Sequence, residues 1–229
     1  MPLNYVIIAF QLIAFLFAIS VHESAHAWMA NRCGDPTARM LGRVTLNPIK
    51  HIDLFGTIIF PAICLLTHFP VFGWAKPTPV DTRNLRNPVR DDILTSIVGP
   101  ISNFLVAVCA TFLLLILKLS SSFGAAVVYG ILSGGLNAES GSILVPIGLL
   151  LYQFLIINVI LAVFNLIPVP PLDGSHVIRH LLPEPALRVY DMVGWIALLA
   201  LVYLGGGILD RILTPFLSVF QYILVTVKI

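Results

Sequence analysis

Residues 5–30 read YVIIAFQLIAFLFAISVHESAHAWMA, an almost unbroken apolar run from Tyr5 to Ala18 that ends in a cluster of ionisable side chains. A membrane-spanning helix needs about 20 mainly apolar residues, and this stretch supplies them. No basic region precedes it, so it reads as a permanent helix and not as a cleaved signal peptide. The rest of the chain agrees. Of 229 residues, 58% are hydrophobic and 10% charged, with a mean hydropathy of +0.97. A soluble domain carries about 25% charged residues, so this chain lacks the polar surface a soluble enzyme needs. The net charge of +2, with no basic block, leaves no electrostatic footprint for nucleic acid. Cys33, Cys64 and Cys109 are too few and too widely spaced for a disulfide framework or a CxxC metal site.

Further spans are expected at Ile93–Leu117, Ile143–Ile167, about Val189–Leu204 and about Ile208–Val227, the last two parted by Gly205-Gly206-Gly207. Residues 55–72 hold Pro61, Thr67, His68 and Pro70, and Gly124–Leu136 is short and rich in Gly and Ser. Such lengths fit re-entrant or interfacial segments better than crossings. Most of the thirteen cations fall in three groups: Arg32, Arg39, Arg43 and Lys50; Lys76, Arg83, Arg86 and Arg90; Arg179 and Arg188. The positive-inside rule places these groups on one cytosolic face, which they share if 55–72 dips in and returns or lies flat. The expected topology starts outside and ends inside with a C-terminal hairpin. The expected fold is an all-α polytopic membrane protein of about five transmembrane helices, with a re-entrant region and a β-loop on the cytosolic side. It forms one domain over 1–229, with a core of about 5–182 and a helical hairpin of about 186–229.

Within the opening stretch, His22-Glu23-Ser24-Ala25-His26 places two imidazoles at i and i+4, on one helical face about 5–6 Å apart. Two such imidazoles can ligate one Zn²⁺, and the adjacent Glu23 can serve a water as general base. Ionisable groups in a membrane helix are costly and are functional by default. His22 lies about 26 Å along the helix from Tyr5, just inside the cytosolic interface. Catalytic zinc usually has three protein ligands. For the third, Asp173 follows a run of helix-breaking prolines and precedes Gly174, and could equally cap the next helix. His176 and His180 form a second i, i+4 pair, more naturally interfacial, and His51 and Asp53 are weaker candidates in a polar loop.

HESAH in a first membrane helix, with Asn165–Gly174 (NLIPVPPLDG) at the end of a later one, resembles the site-2 protease family of intramembrane zinc metalloproteases. Gly42–Gly56 (GRVTLNPIKHIDLFG), Phe72–Val80 (FGWAKPTPV) and Gly99–Phe104 (GPISNF) extend the likeness over most of residues 15–180. The resemblance is to the compact prokaryotic branch, with neither a PDZ-like insertion nor a CBS-type domain expected. It implies one Zn²⁺ per chain held by His22, His26 and Asp173, with Glu23 as general base. It implies that Asn103 contacts substrate or the developing oxyanion, and that Asn165 is a second polar position by the site. Gly73, Trp74, Ala75 and Lys76 match a loop that offers an edge strand to substrate. The physics suits that role, because a substrate helix must unwind to be cut and β-addition re-satisfies its freed backbone groups. The implied function is an endopeptidase, in the cell membrane with its site near the cytosolic face, cutting a single-pass or signal-type membrane protein. The lipid bilayer is a partner, and a homo-oligomer is compatible with this reading. A membrane metal transporter or metal-binding protein is the alternative, disfavoured because only Glu139 and Lys118 are ionisable near the other face. A catalytically silent scaffold would be expected to have lost a ligand or the glutamate, and none is lost.

Overall fold

The computed structural model describes residues 3–67, 73–135 and 141–227. Phe72, the first residue of the expected edge-strand motif, lies outside them, as do residues 68–71 and Glu139. Among the described residues, five helices are long and apolar enough to cross a membrane: α1 (Leu3–Cys33), α4 (Pro88–Ser120), α6 (Leu144–Asn165), α8 (Glu184–Leu204) and α9 (Gly206–Thr226). The shorter ones are α2 (Thr37–Met40), α3 (Phe60–Leu66), α5 (Ser122–Ser133) and α7 (Gly174–Arg179). No strand occurs among the described residues.

Local chemistry sets the boundaries. Helix α4 begins earlier than hydropathy alone suggests, because Pro88 suits a first helical position and Asp91 reaches back to accept the Asn87 N–H at 2.8 Å. Ser121 caps α5 by accepting the Gly124 N–H at 3.0 Å, and Gly134 ends it in a left-handed conformation with φ of 71°. Helix α6 stops at Asn165, three residues ahead of Pro168. The ambiguous 55–72 stretch forms a π-helical turn, Leu54–Ile59, running into α3. Asp53 caps that turn by accepting the Gly56 N–H at 2.7 Å. The described residues of this stretch are too short to cross a bilayer of about 30 Å as one helix.

Helices α1, α4 and α6 pack as a three-helix unit. Ala14, Ala18, Ala27 and Ala30 of α1 are wholly buried, small enough to let the neighbouring backbones close in. Farther from the HESAH residues, Ala107, Ala110, Leu114 and Leu117 of α4 meet Leu155, Val159 and Val163 of α6 and Phe220 and Leu224 of α9.

The end of the chain differs from expectation. Helix α9 runs alongside α4 in the same direction: Phe220 meets Phe104 edge to face, and the last carbonyls reach Lys118. Lys118 is buried, and its ammonium donates to Leu224 O at 2.6 Å, to Val225 O at 3.2 Å and to Val227 O, over the face of Tyr129. Lys118 lies fifteen residues beyond Asn103 in α4, about 22 Å along the helix. The carboxyl end of α9 therefore sits at the end of α4 opposite the HESAH residues, and not on their side. The cause is mutual need: a buried ammonium requires acceptors, and the last carbonyls of a helix lack intrahelical donors.

Candidate active site

His22 and His26 project from one face of α1 onto α4 at Gly99. A Cβ at Gly99 would overlap the His26 imidazole and approach His22 Cε1 to 2.8 Å. Glycine is thus what lets α4 lie against both rings. Helix α4 also holds their far nitrogens. His22 Nδ1 donates to Asn103 Oδ1 and His26 Nδ1 to the Thr95 carbonyl, each at 2.6 Å. Asn103 is fixed in turn, donating to Ala18 O at 3.1 Å and to Asn158 Oδ1 of α6 at 2.8 Å.

Asp173 arrives from the proline-broken turn between α6 and α7. Glycine is required beside it, since a Cβ at Gly174 would strike the Leu166 carbonyl. Its Oδ2 lies 3.1 Å from His22 Nε2, its Oδ1 lies 3.4 Å from His26 Nε2, and the two Nε2 atoms are 3.0 Å apart. Among the described residues, these three are the one group of His, Cys, Asp or Glu whose donor atoms converge for a metal.

The set suits zinc on two grounds. Zinc–ligand distances of about 2.0–2.1 Å give a tetrahedral edge of about 3.3 Å, close to the observed separations. The proton arrangement also demands a cation. Both Nδ1 atoms face oxygens that only accept, so both carry hydrogen and both Nε2 atoms offer lone pairs. Those lone pairs meet each other and a carboxylate whose Oδ2 is buried without a hydrogen-bond donor.

Glu23, next along α1, faces a cavity of about 510 Å³ that it shares with His22, His26 and Asp173. Its Oε2 accepts from the Thr78 N–H at 2.8 Å and from the Thr78 hydroxyl at 2.7 Å. Gly73, Trp74, Ala75 and Asn165 also line this cavity. Residues 73–76 pair at alternate positions with the segment after α2: Trp74 N–H donates to Gly56 O at 3.1 Å and Lys76 N–H to His51 O at 2.9 Å.

Residues 10–204 match the profile of Peptidase family M50. The chain belongs to peptidase family M50, the site-2 proteases. It is 35% identical to "Putative zinc metalloprotease YwhC" of Bacillus subtilis (strain 168), over 94% of each chain. It is 28% identical to "Putative zinc metalloprotease Rip2" of Mycolicibacterium smegmatis, over 92% of this chain and 72% of that one. No solved structure shows significant similarity.

Several expected site residues of this M50 chain sit differently from the sequence reading. Asn103 is wholly buried and gives both amide hydrogens to Ala18 and Asn158, so it has no donor left for substrate or oxyanion. It orients His22 instead. Lys76 is exposed and lies off the cavity wall, contributing its backbone N–H to His51 O. Asn165 reaches the cavity but donates back to Leu161 O at 3.0 Å. The alternative third ligands are engaged elsewhere. His51 is buried against the Thr45 carbonyl and Asp53 caps the π turn. His176 Nδ1 and His180 Nε2 both contact Asp92 Oδ2, at 3.0 and 2.8 Å, which ties the segment after Asp173 to α4. Thr78, Thr95, Asn158 and Asp92 went unnoticed in the sequence. A Gly-Pro pair inside a membrane helix, at Gly99-Pro100, was the one local signal of a close helix approach.

Proposed function

We propose that this chain is an intramembrane zinc endopeptidase that cleaves a transmembrane or juxtamembrane segment of a single-pass or signal-type membrane protein. The observation that carries the reading is one cavity shared by three convergent metal-binding side chains, a glutamate and a non-helical segment with free backbone groups. One zinc per chain would be held by His22, His26 and Asp173. When bound, zinc supplies Lewis-acid polarisation of the scissile carbonyl and lowers the pKa of water.

The chain's own residues do the rest. Glu23 takes the proton of the attacking water and hands it to the leaving amine. Asn103 and the Thr95 carbonyl hold the imidazoles in the tautomer that leaves Nε2 free. On the cavity side, the Ala75 backbone makes no hydrogen bond among the described residues while its neighbours Trp74 and Lys76 are paired away from it. Ala75 thus offers an N–H and a C=O to an unwound substrate strand. Pro77 has no N–H, which keeps that edge short and discourages self-pairing. The clustering of cations beyond α1 and before α4 supports a site on the cytosolic side.

The test is metal analysis and cleavage on protein purified in detergent, with a single-pass membrane substrate. Wild type and Glu23→Gln should each hold one equivalent of zinc, Asp173→Ala should bind it weakly, and wild type alone should cleave. Folded wild-type protein that binds no zinc would refute the proposal. Metal transport that survives in Glu23→Gln would favour the transporter reading.

A further inference from the structure

Thr78 lies between two prolines, in Pro77-Thr78-Pro79. Both prolines have a fixed φ, and a residue preceding proline is kept out of the helical region. The segment is anchored on either side. Upstream, Trp74 and Lys76 pair with Gly56 and His51, and the Thr57 hydroxyl donates to Trp74 O at 2.8 Å. Downstream, buried Asp35 accepts the Asp81 N–H at 2.8 Å and the Asn84 amide at 3.0 Å. Between these anchors, the Thr78 amide and hydroxyl converge on a single oxygen of Glu23, Oε2. The hydroxyl also lies 3.0 Å from the Glu23 carbonyl, but it has one hydrogen to give, and the carboxylate is the stronger acceptor. Among the described residues, Glu23 Oε1 has no donor.

A glutamate side chain has three rotatable bonds and loses about 1.5–2 kcal/mol of rotamer freedom when fixed. No other side chain among the described residues hydrogen-bonds the Glu23 carboxylate. We propose that Thr78 is the positioning residue for Glu23: it holds Oε2, leaves Oε1 as the proton acceptor, and ties the base to the segment that receives substrate. Its catalytic consequence rests on the endopeptidase reading, whereas the contact itself does not. The same stiff segment thus carries both the free backbone edge at Ala75 and the anchor of the base, so strand docking and base alignment are set by one element.

Thr78→Val removes the hydroxyl while keeping the amide and the shape, and Thr78→Ser keeps the hydroxyl. For a hydrogen bond to a charged group, Thr78→Val should lower kcat about 10–100-fold, with KM and bound zinc unchanged. Thr78→Ser should restore kcat to within about threefold of wild type. Hydrogen exchange gives a readout that needs no activity. Because proline has no amide and the first residue of a peptide bears only an amine, a peptide over residues 76–80 reports only the Thr78 and Val80 amides. Glu23→Ala should speed exchange of that peptide about tenfold or more. Equal loss of kcat in the Val and Ser variants would overturn the assignment, as would a change confined to KM. So would exchange indifferent to Glu23→Ala. If wild type cleaves no membrane substrate, the endopeptidase reading fails, and the exchange experiment still decides whether Thr78 holds Glu23.

Discussion

Adding one methyl group at Gly99 tests the construction of the metal centre directly. A Cβ there would lie 2.8 Å from His22 Cε1 and overlap the His26 ring outright. Carbon atoms in good contact sit about 3.5–4.0 Å apart, so α4 must part from the His22 ring by about 0.7–1.2 Å, and from the His26 ring, whose Cε1 would lie 2.5 Å away, by about 1.0–1.5 Å. The rings cannot simply turn away, since their Nδ1 atoms are bonded to Asn103 and Thr95 on α4 itself. Overpacking costs about 1–3 kcal/mol, and a buried group left without its partner costs about 1–3 kcal/mol more. At least about 2 kcal/mol of this falls on the metal-binding geometry, which corresponds to zinc binding weakened about 30-fold or more in Gly99→Ala. Competition with a chelating dye on detergent-purified protein measures it, with circular dichroism confirming that the helices remain. Gly148→Ala is the control. A Cβ there meets side-chain carbons of Ile131 and Val127, each at 3.0 Å, and of Leu117 at 3.3 Å, away from the site. Zinc affinity in folded Gly99→Ala within about threefold of wild type would refute the claim that glycine at this crossing builds the centre.

Lys118→Met should loosen α9 by about 1.5–3 kcal/mol through loss of charge-assisted bonds, seen as a lower thermal midpoint and faster exchange in residues 220–226, with zinc content unchanged. Asp35 is buried, which pushes its carboxyl up, but hydrogen bonds from Thr37, Asn84 and the Asp81 amide outweigh this and hold it below the usual range. It therefore contributes stability that is fully present above the ordinary carboxylate pKa and is lost as pH falls through the lowered folded value. Thermal midpoints of wild type should drop over that acidic window, and Asp35→Asn should flatten the drop. Asn103→Leu should lower zinc affinity more than Asn165→Leu does, because only Asn103 holds a metal-binding imidazole; titration of the two variants against the same chelator decides it.

What the sequence discloses here tracks the distance over which a feature is determined. The His22–His26 pair is legible because one helical turn brings the two rings together whatever the rest of the chain does. The five apolar helices are legible for a similar reason, since length and hydropathy are local. The approach of Asp173 was suggested by resemblance, and spacing alone left His51, Asp53, His176 and His180 open. Those alternatives fall away only when packing shows each engaged by a carbonyl, a helix cap or Asp92. The position of Asn103 illustrates the limit. An asparagine in a membrane helix has acceptors on several sides, and only the relative heights of α1, α4 and α6 decide whether it faces a cavity or a histidine. The end of α9 eludes the sequence for the same reason, because Lys118 finds its acceptors more than a hundred residues away in the chain.

The placement of the donors also bears on how the protein is made. His22 and His26 leave the ribosome early, whereas Asp173 follows only after α4, α5 and α6 have been synthesised. Until α4 has brought Gly99, Thr95 and Asn103 against α1, the two imidazoles have nothing to orient them. Until the turn after α6 is in place, the third donor is missing. A nascent chain therefore carries the glutamate and two histidines without the third donor until the later helices have been made. The order of the elements along the polypeptide delays completion of the three-donor cluster until the bundle has assembled.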